Sequence, residues 1–239
     1  LDYVYQDTDD NASDFLIQTA PNPQNSGDIY TGSLLYSENF DSNQAQDWAT
    51  SYTYGGAWQI DPIPGVTWDA SQGQYRLIVP AKDQGSKSIY QGGYDWQDYT
   101  FSLDVALNDG VDRNIIFRYQ DDQNYYSLGL RGFWHHASND TPVIYLAKCY
   151  QGVCHGDSYW QYFAAYHFSN PQALNNEVAQ IKIKAVGGRT QVFYNENLVI
   201  DYTETKENYS NSGTIGFLGW SGGYPQVDVG FDNLTVREE

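Results

Sequence analysis

The stretch RYQDDQNYYSLGLR at residues 118–131 places two arginines and a pair of tyrosines on either side of an acidic turn. Alternate side chains of a β-strand point to opposite faces, so Arg118, Tyr125 and Arg131 are predicted to share the face that turns away from the core. Arginine donates in-plane hydrogen bonds to hydroxyl or carboxylate groups, and a tyrosine ring can stack on a flat ligand. These three side chains are therefore predicted to contact a ligand. The opposite face is predicted to be core and carries Ile115, Phe117, Tyr119, Tyr126, Leu128 and Leu130.

Three aromatic residues near predicted turns extend this candidate site. Trp134 follows the hairpin in RGFWHHASND, and Trp220 and Tyr224 flank a glycine pair in GWSGGYPQVD. A pyranose ring has apolar faces and a rim of hydroxyls, so aromatic rings beside hydrogen-bonding groups indicate a sugar site. We predict that all three contact a ligand. The alternative is that these rings pack at the rim of the fold and that the glycines only allow a tight reversal.

The composition excludes some classes of function. Thirty acidic against twelve basic residues give a formal charge of −18, which would repel nucleic acid and anionic membranes over most of the surface. Aromatic residues make up 16% of the chain, with 22 tyrosines, and this is typical of β-sheet proteins and of proteins that bind sugars. No run of about 18 apolar residues is present, so membrane insertion is not expected.

The two cysteines of the chain, Cys149 and Cys154, lie in the segment CYQGVC. Two paired strands could bring them together across a short loop, where a disulfide would fit. A single CxxxxC motif without further ligands is poor evidence for zinc. A disulfide favours an oxidising compartment, so we predict an extracellular or cell-surface location.

Short segments of alternating or apolar residues must position these side chains. They follow one another from Leu34 onward between clusters of Gly, Asn and Asp, as in NIIFRY, AQIKIKAV and VGFDNLTV, and none shows a sustained helical period. This pattern predicts an all-β sandwich of two antiparallel sheets over residues 34–239. Residues 1–33 are rich in Asp, Asn, Pro and Ser and are predicted to form an extended N-terminal arm.

Several segments resemble the concanavalin A-like lectin/glucanase superfamily, and most closely its laminin-G-like, non-catalytic domains in bacterial extracellular proteins. The resemblance rests on ENFDS, FRYQDDQNYY, GTIGFLGW and VGFDNLTV and extends from about Leu34 to Val236. It implies a jelly roll in which the first and last strands lie side by side. It also implies a structural calcium ion held by Glu38, Asp41 and Asp232, since carboxylate oxygens are calcium ligands. The alternative is that Glu38 and Asp41 keep an early strand soluble and that Asp232 caps a turn.

The predicted arm has two weaker features. The segment DTDDNASDFLIQTAPNPQNS resembles the closing segment of lamin-tail domains in exported bacterial proteins. Its residues Asp7, Asp9, Asn11 and Asp14 also resemble the opening of a calcium-binding EF-hand loop, but Ala12 stands where that loop needs glycine. A solvated turn rich in Asp and Asn is the alternative.

The sequence favours a non-catalytic function. Glucanases of this fold carry ExDxxE along one strand, and neither that motif nor HExxH is present. The chain is therefore predicted to bind carbohydrate or another cell-surface ligand through one sheet face and the adjacent loops. Two alternatives stay open. One is a structural subunit that assembles through residues 1–33 into a surface layer or filament, and the other is a glycan-active enzyme with an unrecognised site.

Overall fold

The computed structural model describes residues 32–54, 57–132, 141–155, 163–204 and 210–239. Within these ranges the chain forms seventeen β-strands and no α-helix. The strands are β1 Leu34–Glu38, β2 Trp48–Tyr54, β3 Ala57–Gln59, β4 Thr67–Asp69, β5 Tyr75–Val79, β6 Gln84–Tyr90, β7 Tyr99–Asp109, β8 Asp112–Asp121, β9 Asn124–Arg131, β10 Val143–Tyr150, β11 Val153–His155, β12 Ala164–His167, β13 Glu177–Val186, β14 Arg189–Tyr194, β15 Asn197–Thr203, β16 Thr214–Trp220 and β17 Val227–Glu238. No helix long and apolar enough to cross a membrane occurs in this part of the chain.

The strands form two sheets. The back sheet has the strand order β15-β14-β13-β7-β17-β5-β4, with β1 also paired to β17. The front sheet has the order β11-β10-β9-β8-β16-β6-β2-β3, with β12 also paired to β10. The pairings are antiparallel, which confirms the predicted all-β sandwich of two antiparallel sheets. The pairing of β1 with β17 also confirms that the first and last strands lie side by side.

Turn residues set the hairpins between neighbouring strands. Asn195 and Glu196 connect β14 to β15, and both have positive φ angles, of 46° and 67°. A two-residue hairpin turn of type I′ needs left-handed backbone at both central positions, and asparagine adopts it more readily than most residues. These two residues therefore close a tight hairpin between β14 and β15.

The core lies between the two sheets. Buried side chains alternate along the central strands, as Phe101, Leu103 and Val105 do on β7. Phe217 of the front sheet stacks on Phe231 of the back sheet with ring centroids 3.9 Å apart. Each large apolar side chain buried in this way stabilises the fold by roughly 1.5–3 kcal/mol. The core therefore holds the sheets face to face, and the outer face of each sheet is available for polar residues.

Candidate functional site

The outer face of the front sheet carries two rows of side chains that run across the strands. Each row joins residues that pair with one another in neighbouring strands, and none of them belongs to the main core cluster between the sheets. Val143 and Tyr145 pack with Ala147 in a small separate cluster. The first row consists of Trp58, Thr53, Gly85, Trp220, Asp112, Arg131 and Val143. The second row consists of Ser51, Lys87, Leu218, Asn114, Gly129 and Tyr145. The two rows are two residues apart along each strand, so their side chains share one face.

Residues of both rows and of the β8–β9 hairpin line a cleft, which we name the front cleft. Its volume is about 290 Å³, close to the lower limit for pockets that hold small molecules. The lining residues are Thr53, Trp58, Asp112, Asn114, Tyr125, Tyr145, Leu218 and Trp220. Two of the predicted ligand-binding residues, Tyr125 and Trp220, are among them.

Two aromatic rings of the front cleft lie over glycines of the neighbouring strand. A β-carbon added to Gly85 would come 2.7 Å from the Trp220 ring, and one added to Gly129 would come 2.1 Å from the Tyr145 ring. No side chain of ordinary size fits at either position, because real β-carbons essentially never approach so closely. The glycines therefore let the two rings lie down on the sheet, where they form flat parts of the cleft wall.

The end of the β8–β9 hairpin bends over the same face. Lys87 lies on β6, two strands away from β8, yet its Nζ is 2.5 Å from Oδ1 of Asp122 at the hairpin tip. The ammonium also lies 4.3 Å from the centroid of the Trp58 ring, and Asp122 accepts a second hydrogen bond, from the Tyr119 hydroxyl. Burial lowers the pKa of Lys87, and the hydrogen bond that its ammonium donates to Asp122 only partly offsets that effect. The hairpin tip is thus held over the sheet by a partly buried ion pair.

The first row contains a second ion pair and a polar atom without a partner. Arg131 Nε lies 3.8 Å from Oδ1 of Asp112, and the arginine side chain is only 8% exposed. Arg131 does not line the front cleft, but its ion-pair partner Asp112 does. Thr53 is 1% exposed, and its hydroxyl oxygen has no hydrogen-bond partner among the described residues.

Arg118 does not face the ligand side, and this part of the sequence prediction is wrong. A β-bulge interrupts the register of β8 after Phe117, and Arg118 there has a φ of 48°. The bulge exchanges the two faces, so that Tyr119, predicted as core, turns to the hairpin tip, where its ring lies 5.9 Å from that of Tyr125. The Arg118 guanidinium is instead buried and donates to the backbone carbonyl of Gly187 at 2.6 Å.

Tyr224 and Trp134 are the remaining predicted ligand contacts. Tyr224 does not line the front cleft; burial and the nearby Asp109 carboxylate raise its pKa. Trp134 lies outside the described residues, as do Asp7, Asp9, Asn11 and Asp14 of the arm. These positions stay predictions.

The segment GWSGG fits the GxSxG spacing of serine hydrolases, which the sequence reasoning overlooked. Its serine, Ser221, is fully buried, and its hydroxyl donates to the Ala81 carbonyl at 2.7 Å. A nucleophile has to be reachable by substrate and beside a base, so the geometry does not support a hydrolase site there.

The predicted calcium ligands do not fit a metal site. Glu38 Oε1 accepts hydrogen bonds from the backbone N–H groups of Asn39 at 3.0 Å and Phe40 at 2.8 Å, which commits this carboxylate to its own turn. No group of three or more His, Cys, Asp or Glu side chains that could hold a metal ion occurs among the described residues. Glu38, Asp41 and Asp232 therefore do not form, among the described residues, the metal site that the resemblance implied.

Asp232 nevertheless lies in a region of concentrated negative charge. Burial raises the pKa of its carboxyl, a hydrogen bond from the backbone N–H of Asn233 opposes the rise, and the charges of Asp104 and Asp41 add to it. These carboxylates therefore repel one another at the seam between the chain ends.

The two cysteines are direct partners in the backbone ladder. Cys149 of β10 pairs with Cys154 of β11 in an antiparallel hairpin. Directly opposite residues of such a ladder have Cα atoms about 4.5–5.5 Å apart, within the range that a disulfide needs. The register thus fits the predicted disulfide, which itself stays a prediction.

Most lining residues of the front cleft, and Lys87 beside it, were not found from the sequence. Lys87 stands between small residues in QGSKSIY, and Asp112 and Asn114 open the strand that carries the predicted hairpin. The polar residues Asp112 and Asn114, at alternate positions where β8 begins, were a usable signal. No comparable signal links β6 to β8, because β16 inserts between them from much later in the chain.

Comparison with family models gives one match. The model described as a 3-keto-alpha-glucoside-1,2-lyase-like domain matches residues 35–237. The matched domain has a concanavalin A-like fold, so this part of the predicted resemblance is confirmed, whereas its laminin-G-like and lamin-tail details stay predictions. A comparison with curated proteins gives no match.

Solved structures share the fold. The carbohydrate-binding module CBM66 from Bacillus subtilis is 19% identical, with a TM-score of 0.53 over 80% of this chain and 96% of that one. A Bacillus subtilis protein of unknown function with a galectin-like fold is 11% identical, with a TM-score of 0.60 over 88% and 98%. The VIP36 exoplasmic/lumenal domain in its Ca²⁺/Man-bound form is 10% identical, with a TM-score of 0.53 over 79% and 82%. At these identities the likeness shows the fold alone.

Proposed function

We propose that the front cleft binds carbohydrate, and the premise is that the chain belongs to the 3-keto-alpha-glucoside-1,2-lyase-like domain family. The family is named after a glucose-derived sugar. Of the structures that share the fold, one is named a carbohydrate-binding module and another is described with bound Ca²⁺ and Man. These names support a carbohydrate ligand, and the chemistry of the cleft determines where it would bind.

The observation that carries the proposal is the pair of rings that lie on glycines. Trp220 rests on Gly85 and Tyr145 rests on Gly129, and both rings line the front cleft. A flat aromatic surface suits the apolar face of a pyranose ring, and such contacts dominate binding at sites of this kind. Two flat rings in one cleft are therefore a suitable floor for a sugar.

Polar groups stand beside these rings. The Tyr145 hydroxyl donates to the Asn114 Oδ1 at 3.3 Å, and Asp112 and Thr53 line the same wall. Sugar hydroxyls both donate and accept hydrogen bonds, so amide, carboxylate and hydroxyl groups can each serve as partners. The arrangement provides stacking on the floor and hydrogen bonds along the wall.

A glycan array followed by isothermal titration calorimetry tests this proposal. The chain is expected to bind at least one glycan class, and Trp220→Ala or Tyr125→Ala is expected to weaken that binding by about tenfold or more, since a buried aromatic contact is often worth more than 1 kcal/mol. Tyr166→Ala is the matched control, because Tyr166 is 40% exposed and does not line the cleft. Equal affinity of all three variants would show that the glycan binds elsewhere.

A lyase activity is the second candidate, and the cluster at the hairpin tip favours it. Elimination across C1 and C2 of a 3-keto sugar requires a base for the C2 proton and an acid for the leaving oxygen on C1. Burial raises the pKa of Asp122, but hydrogen bonds from Lys87 and Tyr119 outweigh this effect and lower it overall. An ionised Asp122 can accept a proton, and Lys87 or Tyr119 can donate one.

The product distinguishes the two candidates. Elimination next to the C3 ketone leaves a C1–C2 double bond conjugated with the carbonyl, which absorbs ultraviolet light. Incubation with a 3-keto glucoside should produce this absorbance if the chain is a lyase, and Asp122→Asn should abolish it. A binding module should give no absorbance change while still retaining the glycan on an affinity gel.

We also propose an extracellular location, supported by the register of Cys149 with Cys154. The structural-subunit alternative rests on residues 1–33, of which only the last two lie among the described residues. Removal of residues 1–31 should abolish assembly if the arm joins neighbouring molecules, and should leave glycan binding intact if the chain is a binding module. Light scattering on the truncated chain measures the difference.

A further inference from the structure

The charged side chains around the front cleft neutralise one another. The chain as a whole carries 30 acidic and 12 basic residues. Around the front cleft, by contrast, two ion pairs each join one basic and one acidic side chain. Lys87 pairs with Asp122 at 2.5 Å, and Arg131 pairs with Asp112 at 3.8 Å. In both pairs the base is the more buried partner, with side chains 6% and 8% exposed against 56% and 23% for the acids.

These ion pairs present no exposed cation that could bind the carboxylate of an acidic sugar. Its carboxylate would approach the more exposed carboxylate of each pair before it reached the buried cation. Like charges at short range repel, and the strongly acidic surface of the chain adds to this repulsion. The described residues of the cleft therefore disfavour an anionic ligand.

The front cleft instead offers an uncharged group for hydrogen bonding. Thr53 lies in the first row between Trp58 and Gly85, is 1% exposed and lines the cleft. Its hydroxyl has no hydrogen-bond partner among the residues that the structure describes. A buried polar atom without a partner is costly, and a ligand hydroxyl would remove that cost once a small movement of the cleft wall at Thr53 exposes the oxygen.

We propose that the front cleft selects an uncharged sugar over its uronic acid counterpart and that Thr53 Oγ1 hydrogen-bonds one of the sugar's hydroxyls. This inference rests on the proposed carbohydrate function and adds the class of sugar and the residue that recognises it.

Matched pairs of trisaccharides test the selection. We would titrate the chain calorimetrically with 1,4-linked trimers of glucose and glucuronate, of galactose and galacturonate, and of mannose and mannuronate, at low and high salt. In any pair that binds, the neutral trimer should bind at least about tenfold more tightly than the uronate trimer at low salt. High salt should reduce this difference in affinity because it screens the charge repulsion. Equal or tighter binding of a uronate trimer would overturn the selection and leave carbohydrate binding in place. Absence of binding to every trimer, together with a glycan array on which nothing binds, would overturn both the selection and carbohydrate binding.

Two conservative variants test the role of the acids. Asp112→Asn and Asp122→Asn keep the shape of the side chain but remove the carboxylate charge that pairs with Arg131 or with Lys87. Each variant should reduce the preference for the neutral trimer by about fivefold or more, since a cation then faces the ligand. An unchanged preference in both variants would contradict the explanation by charge pairing.

Thr53→Val tests the hydrogen bond. Valine has the shape of threonine without the hydroxyl, and the fold loses no protein hydrogen bond because Thr53 Oγ1 makes none among the described residues. The variant should bind the neutral trimer about fivefold or more weakly with an unchanged or higher melting temperature. Full affinity, or a lower melting temperature with full affinity, would refute a recognition role for Thr53.

Discussion

Replacing Arg118 with methionine should lower the stability of the fold and leave carbohydrate binding unchanged. The guanidinium donates to the Gly187 carbonyl at 2.6 Å and, at 3.3 Å each, to the Gln97 carbonyl and Asp98 Oδ1. The guanidinium also donates to the Ser210 carbonyl at 3.4 Å. A hydrogen bond from a charged group contributes about 1.5–3 kcal/mol net, and the longer contacts contribute less. Loss of all four hydrogen bonds leaves these acceptors without this donor, so we expect the free energy of unfolding to fall by about 3 kcal/mol.

Urea denaturation and thermal melting followed by circular dichroism measure this loss. For a domain of this size, 1 kcal/mol corresponds to roughly 2–4 °C, so the melting temperature should fall by about 6–12 °C. Arg76→Met is the matched control. Arg76 also binds a carboxylate, that of Asp228 at 2.8 and 2.5 Å, but its side chain is 31% exposed, and pairs near the surface contribute only about 1 kcal/mol or less.

The opposite pattern would refute the structural assignment. If Arg118→Met melted within about 2 °C of the unaltered chain and bound its glycan at least about tenfold more weakly, Arg118 would be a ligand contact, as its place in the sequence suggests. Equal losses of stability for Arg118→Met and Arg76→Met would show that burial adds nothing to the contribution of Arg118.

Three further predictions concern the floor of the cleft, the chain ends and the cysteines. Gly129→Ala should displace the Tyr145 ring, because the added methyl group would collide with it at 2.1 Å; calorimetry should show weaker glycan binding, and the melting curve a loss of about 1–3 kcal/mol. The pKa of Asp232 is raised in the folded state, so folding favours the protonated carboxyl. The stabilisation from this preference is fully present below the pKa of Asp232 in the unfolded chain and is lost as the pH rises through its pKa in the folded chain. Asp232→Asn should therefore match the unaltered chain near about pH 3 and exceed it at about pH 7, by less than about 1 kcal/mol because the carboxyl is partly exposed. If calcium chloride raised the melting temperature of the unaltered chain and not that of Asp232→Asn, the carboxylates would be metal ligands after all. A reducing agent should lower the free energy of unfolding of the unaltered chain by about 2 kcal/mol, as expected for a short disulfide loop, and should not change that of Cys149→Ser. If the stability of the unaltered chain did not respond to the reducing agent, the thiols would be free.

The strand pattern was readable from the sequence because alternation is local. In β8 and β9 the predicted core residues Ile115, Phe117, Leu128 and Leu130 are all fully buried. The predicted alternation of the two faces fails from Arg118 onward, because the backbone there takes a left-handed φ that residues other than glycine seldom adopt. No residue type in FRYQDD marks such a bulge, so the alternation could not be corrected in advance.

The site was only partly readable because it is assembled from distant strands. Tyr125 and Trp220 were identified by residue type and by their nearness to turns, and both line the front cleft. Lys87 and Thr53 carry no such signal. Thr53 lies in the cleft and Lys87 beside it because β16 pairs with both β6 and β8. This strand order depends on long-range packing and not on a local sequence pattern.

The implied calcium site failed for a physical reason of a different kind. A resemblance in ENFDS transfers residue types but not the hydrogen bonds that they make. Glu38 accepts two backbone hydrogen bonds within its own turn, and a carboxylate oxygen used in this way is less available to a cation.

The positions of the two glycine-supported rings also set a length scale for the ligand. Trp220 lies on β16 and Tyr145 on β10, with β8 and β9 between them. Three strand spacings separate the rings, which amounts to about 14 Å measured across the sheet. A single pyranose ring is too short to cover both surfaces, so only an oligosaccharide laid across the strands can use both. Affinity should then increase with the number of sugar units until both rings are covered and should not increase further beyond that length.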